Sequence, residues 1–212
     1  MTRCALAVLL ALTISPTLAD DADTNGAKTD AEAKAQADAE AAQKAAQAQR
    51  EAYRKANEPG PHHERLAKFA GKWRTQVTRY RPEGNPLVDH GIAIYTVILG
   101  GRAVEEEFRT EMMGQAYEGR ALHGYDNIKG KYVTTWISNM ETRVIVTEGE
   151  WDEEAKTITS NTTLELPTGE SVNLRRVECD VDEDTRIVES YVTRPDAEEY
   201  KHMEVRYTRV KS

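Results

Sequence analysis

GYDNIKGKYVTTWISNMET, residues 124–142, decides the fold. One β segment runs into Tyr125-Asp126-Asn127, the chain turns through Ile128-Lys129-Gly130, and a second segment returns as Lys131 to Ser138. The returning segment is rich in Tyr, Val, Thr, Trp and Ile, the residues that suit a pleated, half-buried surface. Asp, Asn and Gly supply the turn geometry that β-branched residues resist. This is one hairpin, and its pattern recurs along most of the chain.

Working outward, segments of similar length fall near 72–80, 88–99, 102–112, 116–126, 131–138, 143–151, 156–166, 170–180, 185–194 and 199–210, separated by turn signals such as Gly100-Gly101, Met113-Gly114 and Pro167-Thr168-Gly169. Strands at this spacing with short turns define an all-β, antiparallel up-and-down meander of about ten strands. Left open, such a meander exposes two edges, and closure into a barrel removes both. No long helical pattern interrupts the strands, which excludes a βαβ architecture, and no blade signature recurs as in a propeller. Ahead of the first strand, HHERLAKFA (62–70) places Leu66, Phe69 and Ala70 on one helical face. Gly71 ends that helix and Trp73 opens the strand with a ring large enough to plug a barrel end.

The N-terminal portion differs. Residues 1–19 read as a signal peptide, with Arg3 as a short positive region, Leu6 to Ile14 as an apolar core and Thr17-Leu18-Ala19 as a cleavage site. The apolar run is too short for a stable bilayer span, and Cys4 precedes it, whereas a lipoprotein needs the cysteine after it. Export to the periplasm or beyond is the expectation. Residues 20–58 form an Ala-rich linker: Asp20 to Lys28 reads as polar and disordered, and Asp30 to Asn57 contains no Leu, Ile, Val or Phe. Alanine favours helix, but no apolar stripe is wide enough to dock on a core. The segment reads either as a solvated helix about 40 Å long at 1.5 Å per residue or as a partly helical mobile linker. Pro59-Gly60-Pro61 ends it and marks the start of the barrel domain, residues 59–212.

The formal charge is −8, and loss of Arg3 with the signal makes it one unit more negative. That balance argues against nucleic acid and anionic membrane surfaces as partners, and the chain does not read as an integral membrane protein. After cleavage Cys179 is the sole cysteine, so no internal disulfide forms. It sits in an alternating segment and reads as a small apolar residue, without an adjacent base to activate it. The sequence sets no oligomeric state.

Several motifs in order resemble one bacterial family: PGPHHERL (59–66), GKW (71–73), LGGR (99–102), YEGRALHGYDN (117–127), TWISNMET (135–142) and MEVRYTR (203–209). The series, spread over residues 59–212, is similar to the uncharacterised "domain of unknown function fifteen-seventy-nine" family, related to calycin-like barrels. The resemblance implies a lipocalin-like or fatty-acid-binding-protein-like barrel with a short helix at its closed end, and it supplies no activity or catalytic residues. Where the family often has Asp after Trp-Ile, this chain has Ser138 followed by Asn139.

A small barrel either fills its interior with side chains or leaves one ligand cavity. Tyr125, Trp136, Tyr191 and Tyr207 are strand aromatics suited to a pocket wall and equally to cross-strand packing. Tyr207 and Arg209 share a face of the last segment, and with Arg175 or Arg176 nearby a Tyr–Arg pair has the chemistry to hold a carboxylate. These five, Tyr125, Trp136, Tyr191, Tyr207 and Arg209, are the candidate ligand-binding residues. No catalytic motif or cofactor signature appears, and the histidines lack metal-ligand spacing. His202 would need a deep apolar pocket to serve as a haem ligand by analogy with nitrobindin-type barrels. The leading functional expectation is an exported binding module for a small apolar or amphipathic ligand. An envelope structural protein tethered by the Ala-rich segment comes second. An enzyme using Glu107 or Glu148 as a general base comes third.

Overall fold

A computed structural model describes residues 24–81 and 83–211. The signal-peptide segment and Cys4 lie outside the described residues. The chain divides into two compact units, the first ending at Tyr53 and the second starting at Arg54. Helix α1 spans Thr24–Ala56, and its side chains are exposed from Thr29 to Lys55. Of the two readings of this segment, the continuous helix is the one observed. It also starts before Lys28, in a stretch read from composition as disordered. Once a first turn exists, each added residue gains a hydrogen bond, so a polar run beside an Ala-rich one joins the helix.

Helix α2, Pro61–Ala67, starts on a proline whose missing N–H is one the first turn leaves unbonded anyway. It is shorter than the 62–70 pattern implied, because Phe69 N–H donates to Leu66 O at 3.0 Å and Ala70 N–H to Ala67 O at 3.1 Å in a tightened exit turn. Leu66 and Phe69 are nonetheless buried on the anticipated face.

Ten strands follow: β1 Gly71–Arg79, β2 Leu87–Ile98, β3 Ala103–Met112, β4 Gln115–Asp126, β5 Lys131–Ser138, β6 Ile145–Asp152, β7 Thr157–Glu165, β8 Ser171–Asp180, β9 Thr185–Thr193 and β10 Tyr200–Arg209. Each pairs antiparallel with the next, and β1 pairs with β10 to close the barrel, with Trp73 opposite Arg209 and Thr75 opposite Tyr207. The β4–β5 hairpin turns as its residues require. Asp126 Oδ1 accepts from the N–H groups of Ile128 (2.8 Å) and Lys129 (3.0 Å). Gly130 takes φ 68°, where a Cβ is disfavoured.

Alternation now has a direction. Trp73, Thr75 and Val77 on β1, Val104, Glu106 and Phe108 on β3, and Tyr132 and Thr134 on β5 are buried, while the residues alternating with them are more exposed. The inner face is thus partly polar, which a solid hydrophobic core would not tolerate without partners.

One end is plugged. Trp73 is 2 % exposed, and its indole N–H donates to Phe69 O at 2.8 Å. Arg209 lies 4.2 Å over the Trp73 ring and donates to Ala70 O (2.9 Å) and Lys68 O (2.7 Å), just past the C-terminal end of α2. A cation there also complements the negative end of the helix. Arg65, from α2, stacks 3.6 Å over Trp151 and pairs with Asp180. The helix is therefore tied to both sides of the opening it covers.

Candidate functional site: the barrel lumen

Above the plug the barrel holds a layer of buried polar side chains. Glu106, on β3, accepts from Tyr207 OH at Oε1 (3.1 Å) and faces His123 Nε2 at Oε2 (3.0 Å). His123 Nδ1 lies 3.2 Å from Thr134 Oγ1. Burial lowers the His123 pKa from its ordinary 6.5, and that effect outweighs the carboxylate beside it. Burial opposes ionisation of Glu106 too. There the His123 ring, Arg176 and Arg186 prevail and hold its pKa below the usual value. An ionised Glu106 has no proton to give, so His123 Nε2–H is the donor. Its Nδ1 then accepts from the Thr134 hydroxyl. The result is a fixed chain: hydroxyl, imidazole, carboxylate, phenol.

Beside this chain, Arg186 is 2 % exposed and pairs with Glu178, and its Nη1 donates to Tyr95 OH at 3.4 Å. Arg176, also inward-facing, reaches Glu178 Oε1 at 3.5 Å.

Stability should follow pH through this layer. A His with a lowered folded pKa binds its proton more readily in the unfolded chain. Its contribution is complete above about 6.5 and falls as pH drops toward the folded value. Glu106 adds a loss in the same direction at lower pH, from its ordinary 4.5 downward. The urea midpoint is expected to fall between about pH 7.5 and about pH 5.5, and His123→Gln to reduce that slope. His63 and His202 are also lowered by burial, so some slope remains.

Between the polar layer and the end opposite α2 lies a lumen of about 610 Å³. Its walls are apolar, including Phe108, Trp136, Ile145, Leu164, Leu174 and Val192. Its floor carries Thr134, Thr147, Arg176, Ser190 and Tyr207, and its mouth carries Arg79, Glu141, Arg143, Arg194 and His202. Trp136 is seated by Gly119, where a Cβ would fall 2.3 Å from Cζ2 of its ring. Gly119→Ala should therefore displace the indole and cost about 1–3 kcal/mol by overpacking, with a shifted Trp emission as the readout.

The structure separates the five residues that the sequence grouped. Trp136 and Tyr207 line the lumen. Tyr125 does not: it stacks on the His62 ring at 4.0 Å beside the plug. Tyr191 faces outward, where its hydroxyl donates to Glu189 (2.8 Å) and Arg175 covers its ring at 4.0 Å. Arg209 is committed to Trp73 and the exit of α2. Of Arg175 and Arg176, it is Arg176 that points inward. Glu107 and Glu148, considered as bases, are on the outer face, paired with Arg120 (3.2 Å) and with Lys129 respectively. Parity puts Glu106 inside in place of Glu107. Cys179 is half-buried, and desolvation raises its pKa, which suits a packing role.

Among the described residues no group of three His, Cys, Asp or Glu is placed to hold a metal ion, and no helix is long and apolar enough to cross a membrane. Closed antiparallel strands, a helix over one end and a lumen open at the other define a lipocalin-like barrel. Two solved structures share that fold. Rv2717c from M. tuberculosis aligns at 10% identity with TM-score 0.53, covering 73% of this chain and 100% of its own. The S-type phycobiliprotein lyase CPES from Guillardia theta aligns at 11% identity with TM-score 0.50, covering 70% and 92%. No curated protein matches the sequence. Within the barrel class the chain belongs to the family described as "Protein of unknown function (DUF1579)", whose model matches residues 58–209.

Proposed function

We propose that the protein is an exported binding module that holds one small apolar or amphipathic molecule in its barrel lumen. The observation that carries this reading is the lumen itself. At about 610 Å³ it falls within the roughly 300–1,000 Å³ of small-molecule sites, which are apolar with a few placed polar groups. Export rests on the character of residues 1–19. The plug at Trp73 confines entry to the mouth beside His202 and Arg143.

A second reading draws on the Thr134–His123–Glu106 chain, which turns a lumen hydroxyl toward a neutral imidazole, the relation a general base needs. It ranks lower because the Tyr207 hydroxyl is already engaged by Glu106.

Native mass spectrometry of the purified full chain tests the first reading, with titration of an anilinonaphthalene sulfonate as the second arm. A co-purified small molecule, or uptake of one fluorophore per chain with a change in Trp emission, supports it. A chain that carries nothing and takes up no probe overturns it.

A further inference from the structure

The lumen has a distinct chemistry at its floor. Arg176 sits on β8 with Ser160 directly across on β7 and Ser190 directly across on β9. Arg176 and Ser190 line the lumen. Ser160 is 3 % exposed, and its hydroxyl is closed off from the lumen. Among the described residues Arg176 has a single carboxylate contact, Glu178 Oε1 at 3.5 Å, longer than a good charge-assisted hydrogen bond. Glu178 cannot serve it fully, since its other oxygen is taken by the more deeply buried Arg186. Nor can Glu106, whose two oxygens are occupied by Tyr207 and His123. A guanidinium beside the Ser190 hydroxyl thus lacks a close acceptor at the floor of a chamber whose walls are apolar.

The cations at the mouth are in a different position. Arg79 pairs with Asp89 (2.5 Å), Arg194 with Glu170 (3.1 Å) and Arg143 with Glu141. Each already has its own carboxylate, so a ligand's negative charge gains most at the floor. We infer that Arg176 and Ser190 form an anion cradle. It holds the carboxylate of a monocarboxylic amphiphile head-inward, with the apolar chain running past Leu174 and Leu164 to the mouth.

This inference rests on the proposed binding role and sharpens it. A planar guanidinium matches a carboxylate through two parallel N–H donors, and the Ser190 hydroxyl beside it can donate to a remaining lone pair. An amine head would place a second cation beside Arg176, and an alcohol would fill the chamber without supplying charge.

The test is calorimetric titration of the full chain at a pH where the acid is ionised, with dodecanoate, dodecanol, dodecylamine and dodecyl phosphate. Dodecanoate is expected to bind at least about tenfold more tightly than dodecanol, one charge-assisted contact being worth that much or more. Dodecylamine should be the weakest. Arg176→Met should remove the preference for the acid while leaving dodecanol binding unchanged, which also shows that the variant is folded. Ser190→Ala should weaken the acid several-fold, and Arg175→Met, on the outer face, should not. Tighter binding of the phosphate than of the carboxylate would replace the carboxylate assignment with a phosphate one. Equal affinity for acid and alcohol, or an Arg176→Met variant with undiminished acid affinity, would overturn the cradle and leave the binding role standing. Failure of all four to bind would overturn both.

Discussion

Glu178→Ala is expected to destabilise the barrel by about 3–5 kcal/mol, because it strands a buried charge. The Arg186 guanidinium is 2 % exposed and packs 4.1 Å over the Phe69 ring. Without Glu178 it keeps, among the described residues, the 3.4 Å contact to Tyr95 OH and Asp180 at 3.8 Å. For a domain of this size the loss corresponds to a drop in Tm of roughly 10 °C or more. The double variant Glu178→Leu with Arg186→Met should recover most of it, since a buried pair replaced by apolar groups of similar volume is often neutral. Thermal unfolding of the single and double variants measures the difference. A single variant as stable as the parent would mean that Arg186 is not held as the geometry indicates.

Trp73→Ala should cost a similar amount, about 3–5 kcal/mol, for a different reason. The indole is the plug: it is 2 % exposed, lies edge-on to Tyr95 at 6.3 Å, and supports the Arg209 guanidinium that ties down the end of α2. Truncation leaves a void, an unbonded carbonyl at Phe69 and a released arginine. Trp73→Phe keeps much of the ring volume but not the donor, and should cost about 1–3 kcal/mol. Denaturant midpoints would rank the variants as parent, Trp73→Phe, Trp73→Ala. Because the plug lies at the far end from the mouth, Trp73→Phe should leave ligand affinity nearly unchanged.

Much of this architecture was legible because local chemistry and global fold agree. Asp126 and Gly130 announce a turn in the sequence and make it in the structure, and the ten strands fall within about two residues of where alternation and turn residues put them. Trp73 after Gly71 could be read as a plug because one large ring follows a short amphipathic helix. The site was harder to read. In β3 three consecutive glutamates, Glu105 to Glu107, carry no alternation of their own. Only Val104 and Phe108, which share Glu106's parity, reveal which one is interior. In β9 both faces are mixed, so Tyr191 looked as suitable for the lumen as Ser190 is in fact. Arg209 shares inward parity with Tyr207, but it lies at the level of the plug, and height along the barrel does not show in a period of two. The layer of Glu106, His123, Glu178 and Arg186 was missed because its members come from four strands. No spacing in the sequence records that meeting.

A crystal structure of the full chain with dodecanoate brominated at its terminal carbon tests the central claim most directly. The account predicts anomalous bromine density at the mouth, near Leu166 and Val192, and continuous density from there to a carboxylate at Arg176. Bromine found only on the outer surface, with lumen side chains closed over the space, would contradict it.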